Sequence, residues 1–227
     1  MLIEKFTLQD IPSAAELTYA AWGKELAGEA AGFSKFVYES MVRYYCRQDA
    51  YSYKLTEQDG MAGFLLAARP EKDDLSTGWF ARHMQGFDQR QQLLSRQYLA
   101  YLRYNGLQLK QQAKDEDLLL LLFLSKLKGG GSALLENVEE QAASAGLNAL
   151  HLWADETCDY EYYRRRGFTI TQCFTNKVLP QLGEQKTYIY SKKLEKSEAN
   201  PQVRTKAHLW VLCYNNTNKF IGDDSFG

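Results

Sequence analysis

Apolar positions recur along this chain with two different periods, and the switches between them mark its elements. Residues 2–7 read as a short first strand. Gln9-Asp10-Ile11-Pro12 then opens a helix, with Asp10 as cap and Pro12 in the first turn, where a missing N–H costs nothing. Ile11, Ala14, Ala15, Leu17, Ala20 and Trp22 keep roughly helical spacing, and Phe36, Val37, Met41 and Tyr44 stripe a second helix over 33–46. Two strand-like runs, 52–57 and 61–68, flank Gln58-Asp59-Gly60, a hairpin signal. From 70 to 114 the chain is rich in Gln and Arg, with aromatic and leucine residues at helical spacings. This predicts a surface hairpin of two helices, the second ended by Asn105-Gly106, with a wall of a substrate pocket as the functional alternative. Residues 118–124 are an unbroken apolar run, the signature of a strand buried on both faces. A Lys/Gly-rich loop follows, then a helix over 133–145 with Leu134, Leu135, Val138 and Ala142 inward. A strand at 149–154, a short helix at 155–166 stopped by Gly167, and strands at 168–174 and 186–193 complete the pattern.

Alternation of this kind, in 227 residues, predicts a mixed α/β fold of one domain with an appendage. The domain is taken as 1–194, and 195–227 as a tail with one extra strand at 208–214 that extends a sheet edge, within the chain or across a homodimer. With 27 basic against 28 acidic residues, a nucleic-acid partner is not expected. Four scattered cysteines with no CxxC pair, and three histidines, argue against a metal site and for a reducing compartment. The opening residues carry acids and no long apolar run, and the 118–124 run falls far short of the roughly 20 residues that span a bilayer. No membrane partner is expected, and a cytoplasmic location is.

The chemistry concentrates after the 118–124 strand, in Ser125-Lys126-Leu127-Lys128-Gly129-Gly130-Gly131-Ser132. Three glycines remove the side chains that hold a ligand away from the backbone. The amides from Leu127 to Ser132 can then converge at the positive end of a helix dipole, a setting for a phosphate or pyrophosphate. Lys126 and Lys128 add charge, each worth about 1 kcal/mol when exposed. The loop lacks the Gly-Lys-Ser/Thr of a Walker motif and the third glycine of a dinucleotide fingerprint. A plain flexible turn stays open as its alternative.

About thirty residues on stands Glu161-Tyr162-Tyr163-Arg164-Arg165-Arg166-Gly167-Phe168. The combination of apolar strand, glycine loop, helix, strand and a Tyr-Tyr-x-x-x-Gly-Phe run resembles the GNAT superfamily of N-acetyltransferases, over roughly residues 1–194. The resemblance implies a mixed α/β sandwich: a mainly antiparallel sheet of six or seven strands, a V-shaped split beside the central strand, and a helical insertion between strands 3 and 4. It implies acetyl-CoA as co-substrate, no metal, and transfer of an acetyl group by direct attack of a primary amine on a small molecule or peptide. A catalytically silent acyl-CoA-binding module with a sensing or assembly role is the alternative.

On that resemblance, Lys126-x-x-Gly129-x-Gly131 stands where the family has Arg/Gln-x-x-Gly-x-Gly/Ala, with Lys128 in a shortened loop as the alternative register, so Lys126, Leu127, Lys128, Gly129, Gly130, Gly131 and Ser132 are expected to hold the cofactor. Asp159 takes the place nearest a frequent Asn, and Tyr163 matches the tyrosine used as general acid. Amine attack on a thioester builds an oxyanion and expels a thiolate. The first needs a backbone N–H near Leu122, Phe123 or Leu124; the second leaves more easily beside a hydroxyl such as that of Tyr163. Candidates for the base are Glu116, taken first, Asp117, Asp155 and Glu156. His151, Trp153 and Asp155 share one strand face. Arg164, Arg165 and Arg166 are read as a 3′-phosphate contact or as exposed helix charges.

Overall fold

The apolar run becomes the middle strand of a seven-stranded sheet. The computed structural model describes residues 1–195 except 27, 59, 73–75, 157, 159 and 179–183. Asp159 and the expected strand at 208–214, with its dimer role, lie outside the described residues. The elements in chain order are β1 (Leu2–Lys5), α1 (Ile11–Trp22), α2 (Ala31–Tyr45), β2 (Tyr53–Glu57), β3 (Gly60–Ala68), α3 (Thr77–Met84), α4 (Gln89–Gln112), β4 (Leu118–Ser125), α5 (Gly130–Ser144), β5 (Ala149–Asp155), α6 (Tyr160–Arg165), β6 (Thr169–Asn176) and β7 (Gln185–Lys193). The sheet runs β1-β2-β3-β4-β5-β7-β6, antiparallel throughout except for the parallel pair β4–β5.

Helices cover both faces, so the sheet buries two cores. One packs Leu134, Leu135 and Val138 of α5 against Leu55, Leu65 and Leu120. The other packs Phe33, Phe36 and Val37 of α2, with Leu102 and Leu109 of α4, against Phe64, Leu66 and Leu119. Each fully buried Leu or Phe contributes about 1.5–3 kcal/mol, which makes the uninterrupted leucines of β4 the natural spine.

β4 is not a regular strand. Leu122 faces Leu66 and Leu120 faces Ala67 on β3, which leaves Leu121 as an extra residue. Leu118 and Leu120 therefore enter the α5 core, Leu121 and Leu122 both enter the other, and Phe123 returns to the first. A bulge of this kind bends its strand and steepens the local twist. β4 parts from β5 at this point: among the described residues only Leu118–Leu150 and Leu119–His151 pair across them. The V-shaped split is this divergence.

The closed end of the V is pinned by side chains. Asp117 and His151 are 5% and 7% exposed, with Nε2 of His151 3.1 Å from the Asp117 carboxylate and Nδ1 2.7 Å from Ser191 Oγ. The same Asp117 oxygen, Oδ2, also accepts from the Lys114 amide at 2.8 Å.

Three sequence readings change. The second insertion helix does not stop at Asn105-Gly106; α4 continues to Gln112. Gly106 is there because a Cβ would lie 2.7 Å from Tyr44 Oη, where α4 crosses α2, and Asn105 is buried and accepts from Asn176 at 2.8 Å. Helix α5 begins at Gly130, inside the glycine run, rather than at residue 133. Asp10 makes no side-chain cap on α1; its carboxylate takes the Thr7 amide and Lys54 Nζ, both at 2.8 Å, and ties the first turn to β2.

Candidate active site

Where β4 and β5 separate, a cavity of about 540 Å³ opens, and it runs from the glycine loop to the helices of the opposite face. Its floor is β4 from Leu120 to Ser125. Beyond Leu119 that strand has no β5 partner, so the amides and carbonyls on its free edge belong to the cavity.

The loop end is built by Ser125, which turns the chain: Oγ accepts from the Leu127 amide at 3.2 Å. Gly129 then caps α5 in the left-handed region at φ +80°, a conformation glycine adopts freely. The Gly130 amide is spent on the Leu127 carbonyl at 3.1 Å. A Cβ on Gly130 would lie 2.6 Å from both Leu55 Cδ2 and Ser125 Oγ, so this glycine lets the helix start press onto the sheet. The amides of Gly131 and Ser132 have no acceptor inside the helix, as for the first turn of any helix, and both residues line the cavity. A Cβ on Gly131 would stand 3.1 Å from the Phe123 ring and 3.8 Å from Tyr162 Oη.

Of the residues singled out in the sequence, Leu122, Phe123, Leu124, Leu127, Gly129, Gly131, Ser132 and Tyr163 are brought together on this wall. Gly130 supports from behind. Lys126 and Lys128 are exposed beside the loop and are not part of the lining. Tyr163 packs among Tyr162, Phe168 and Tyr190 at ring distances of 5.5–5.8 Å. Arg164 pairs with Glu161 at 2.8 Å and Arg166 with Glu136 at 2.7 Å, both on the helix surface.

The four carboxylates offered as base separate sharply. Glu116 is exposed in the turn before β4, about 13 Å of extended chain from the first lining residue, Leu120. Asp117 is committed to His151. Glu156 lies beyond the end of β5, where its carboxylate meets the Lys186 amide at 3.5 Å. Asp155 alone of the four lines the cavity. Its Oδ2 accepts from Tyr101 Oη at 2.7 Å and its Oδ1 from Cys158 Sγ at 3.5 Å. Burial, then the neighbouring carboxylate, raise the ionisation of Tyr101 far above the ordinary phenol range, so Tyr101 stays a donor.

For the far wall the sequence offers the 70–114 insertion as the side of a substrate pocket, but Tyr101 itself is not singled out as a site residue. Trp22 of α1, Met41 and Tyr45 of α2, and Tyr98, Tyr101 and Leu102 of α4 meet Trp153 there. In the sequence these are amphipathic stripes indistinguishable from core. The signals available were the helical insertion itself and the shared strand face of His151, Trp153 and Asp155. The Tyr45 phenol is buried beside Trp153, and burial pushes its ionisation well above the usual range.

No family sequence model matches the chain, and no curated protein matches it by sequence. Solved structures do match in fold. The ribosomal-protein-S18-alanine N-acetyltransferase from Escherichia coli superposes with TM-score 0.50 at 14% identity, covering 88% of this chain and 97% of its own. An N-acetyltransferase from Staphylococcus aureus Mu50 gives 0.52 at 15%, covering 85% and 100%. A further acetyltransferase gives 0.53 at 16%, covering 86% and 100%. The chain has the fold of the GNAT acetyltransferases. Among the described residues no helix is long and apolar enough to cross a membrane.

Proposed function

We propose that residues 1–194 form an acetyl-CoA-dependent N-acetyltransferase that acetylates a primary amine of a small molecule or peptide by direct attack. The observation that carries this reading is one cavity that joins the unpaired edge of β4, the first-turn amides of α5 and, on the far wall, the Asp155 carboxylate.

The loop end fits a diphosphate-bearing donor, because Gly131 keeps the space before Phe123 and Tyr162 free of a side chain. Leu127, Gly129, Gly131 and Ser132 would hold the pyrophosphate, with Lys126 and Lys128 supplying charge beside them. Bound there, acetyl-CoA supplies an acetyl carbon activated as a thioester with a thiolate as leaving group. Amides of β4 between Leu122 and Leu124 donate to the acyl oxygen as negative charge grows on it. Asp155, held by Tyr101, takes the proton that the acceptor ammonium must lose, and the Tyr163 hydroxyl gives a proton to the departing sulfur. Glu116 is not given the base role, since it stands at the other end of β4.

Calorimetry with acetyl-CoA and thiol release with an amine panel test this together. Binding with turnover is expected, and Tyr163→Phe should lower kcat about 100-fold at unchanged donor affinity. Absence of donor binding overturns the proposal. Binding without turnover leaves the silent acyl-CoA module, and unchanged turnover in the Phe variant removes Tyr163 as the acid.

A further inference from the structure

Resting on Asp155 as the base proposed above, we infer that Asn105 and Asn176 are positioning residues: through Tyr101 they fix the direction of a hydrogen-bond chain that ends on the Asp155 carboxylate.

Both amides are costly choices for packing alone. Asn105 is 0% exposed and Asn176 1%. Asn105 sits inside α4 on its buried stripe, between Leu102 and Leu109, where an apolar side chain would need no partner and would favour the helix. Asn176 ends β6 opposite Gln185, a residue of the cavity wall. The two are joined across 71 residues of chain, Asn176 Nδ2 donating to Asn105 Oδ1 at 2.8 Å.

One backbone group sets the direction. A peptide N–H can only donate. The Val178 amide donates to Asn176 at 2.9 Å, so the atom it meets is the carbonyl oxygen Oδ1. The Nδ2 of Asn176 then faces Asn105, which answers with its own Oδ1. The Asn105 nitrogen is left for Tyr101, one turn back on the same face of α4. Burial and Asp155 hold the Tyr101 phenol neutral, and Asn105 acts on it in the opposite sense, the sign of a donor, at a looser geometry than the bonds on either side. With a donor at its lone pair, the hydroxyl sends its single proton to Asp155 Oδ2 at 2.7 Å. Asp155 is thereby kept as an acceptor, the form a base requires, by two side chains that are not part of the cavity lining.

Reversing the chain tests it. Asn176→Asp keeps the acceptor for Val178 but puts an oxygen where Nδ2 was, so Asn105 turns over and presents its carbonyl to Tyr101. The Tyr101 proton then divides between Asn105 and Asp155. Kinetics of the full chain use acetyl-CoA with phenethylamine, kanamycin or an alanine-first tetrapeptide, whichever turns over fastest. In Asn176→Asp kcat should fall about fivefold, with the KM for acetyl-CoA within about twofold of wild type. The fall should vanish when Tyr101 is Phe, because the chain is then already cut, whereas a packing defect would persist. Asn105→Leu/Asn176→Leu strands neither amide; it should behave alike, and it carries the test if the aspartate variant does not fold. Proton NMR reads the chain without turnover. The Tyr101 hydroxyl proton, identified by its loss in Tyr101→Phe, should lie downfield, as a bond to a carboxylate requires, and move upfield in Asn176→Asp. An unmoved resonance, an unchanged kcat, or an equal fall in the Phe background overturns the inference. Absence of acetyl-CoA binding, or full turnover by Asp155→Asn, defeats the reading it rests on instead, while the resonance still reports the direction of the chain.

Discussion

The two ends of the β4–β5 pair each hold a carboxylate with a side-chain donor, and they serve opposite ends. At the closed end Asp117 receives His151 and the Lys114 amide, His151 receives Ser191, and both Asp117 and His151 are buried. At the open end Asp155 receives Tyr101 and Cys158 but borders a cavity of about 540 Å³. The same residue type joins the strands in one place and borders a cavity in the other. What separates them is the extra residue at Leu121, which lies just past the last paired position. Buried acids need saturation to persist; an acid at a cavity wall keeps capacity for a substrate proton.

The comparison breaks most visibly if the two ends respond alike to mutation. Asp155→Asn keeps the shape and the Tyr101 contact but removes the carboxylate proposed as base. It should lower kcat/KM about 10²–10⁴-fold, measured by thiol release, with the melting temperature nearly unchanged. His151→Ala should do the reverse: it strands Asp117 and Ser191, costs about 3 kcal/mol in urea unfolding, and leaves kcat of the folded protein near wild type. If His151→Ala silences a well-folded enzyme, the closed end is not merely a pin.

Finer cuts follow. Tyr101→Phe removes the donor that orients Asp155, so kcat should fall about tenfold. An unchanged kcat would make Tyr101 a packing residue. Smallest is the contrast within the loop. Gly131→Ala should weaken acetyl-CoA binding severalfold by calorimetry. Gly130→Ala, whose Cβ meets Leu55 and Ser125 at 2.6 Å, should mainly lower the melting temperature.

Most elements were legible because their signals are local. The leucine run, the Asp-Gly turn and the glycine run each bias only a few residues. The exceptions all had a tertiary cause. Asn105-Gly106 looks like a helix end, yet it is where α4 fits over Tyr44. Gly130 looks like part of an anion cradle, yet its amide bonds Leu127 and its missing side chain makes room for Leu55. Glu116 and Asp155 look equivalent as turn carboxylates, and only the direction in which β4 leaves β5 distinguishes them.

By itself, the order of apolar runs and glycines determined a mixed sheet with a buried central strand and a glycine turn into a helix at its end, since each depends on contacts among near neighbours. Only the tertiary structure decided which acid meets the cavity and which aromatic rings wall it. Those rings come from α1, α2, α4 and β5, and a helical stripe reads the same whether it packs on protein or faces a space left for a substrate.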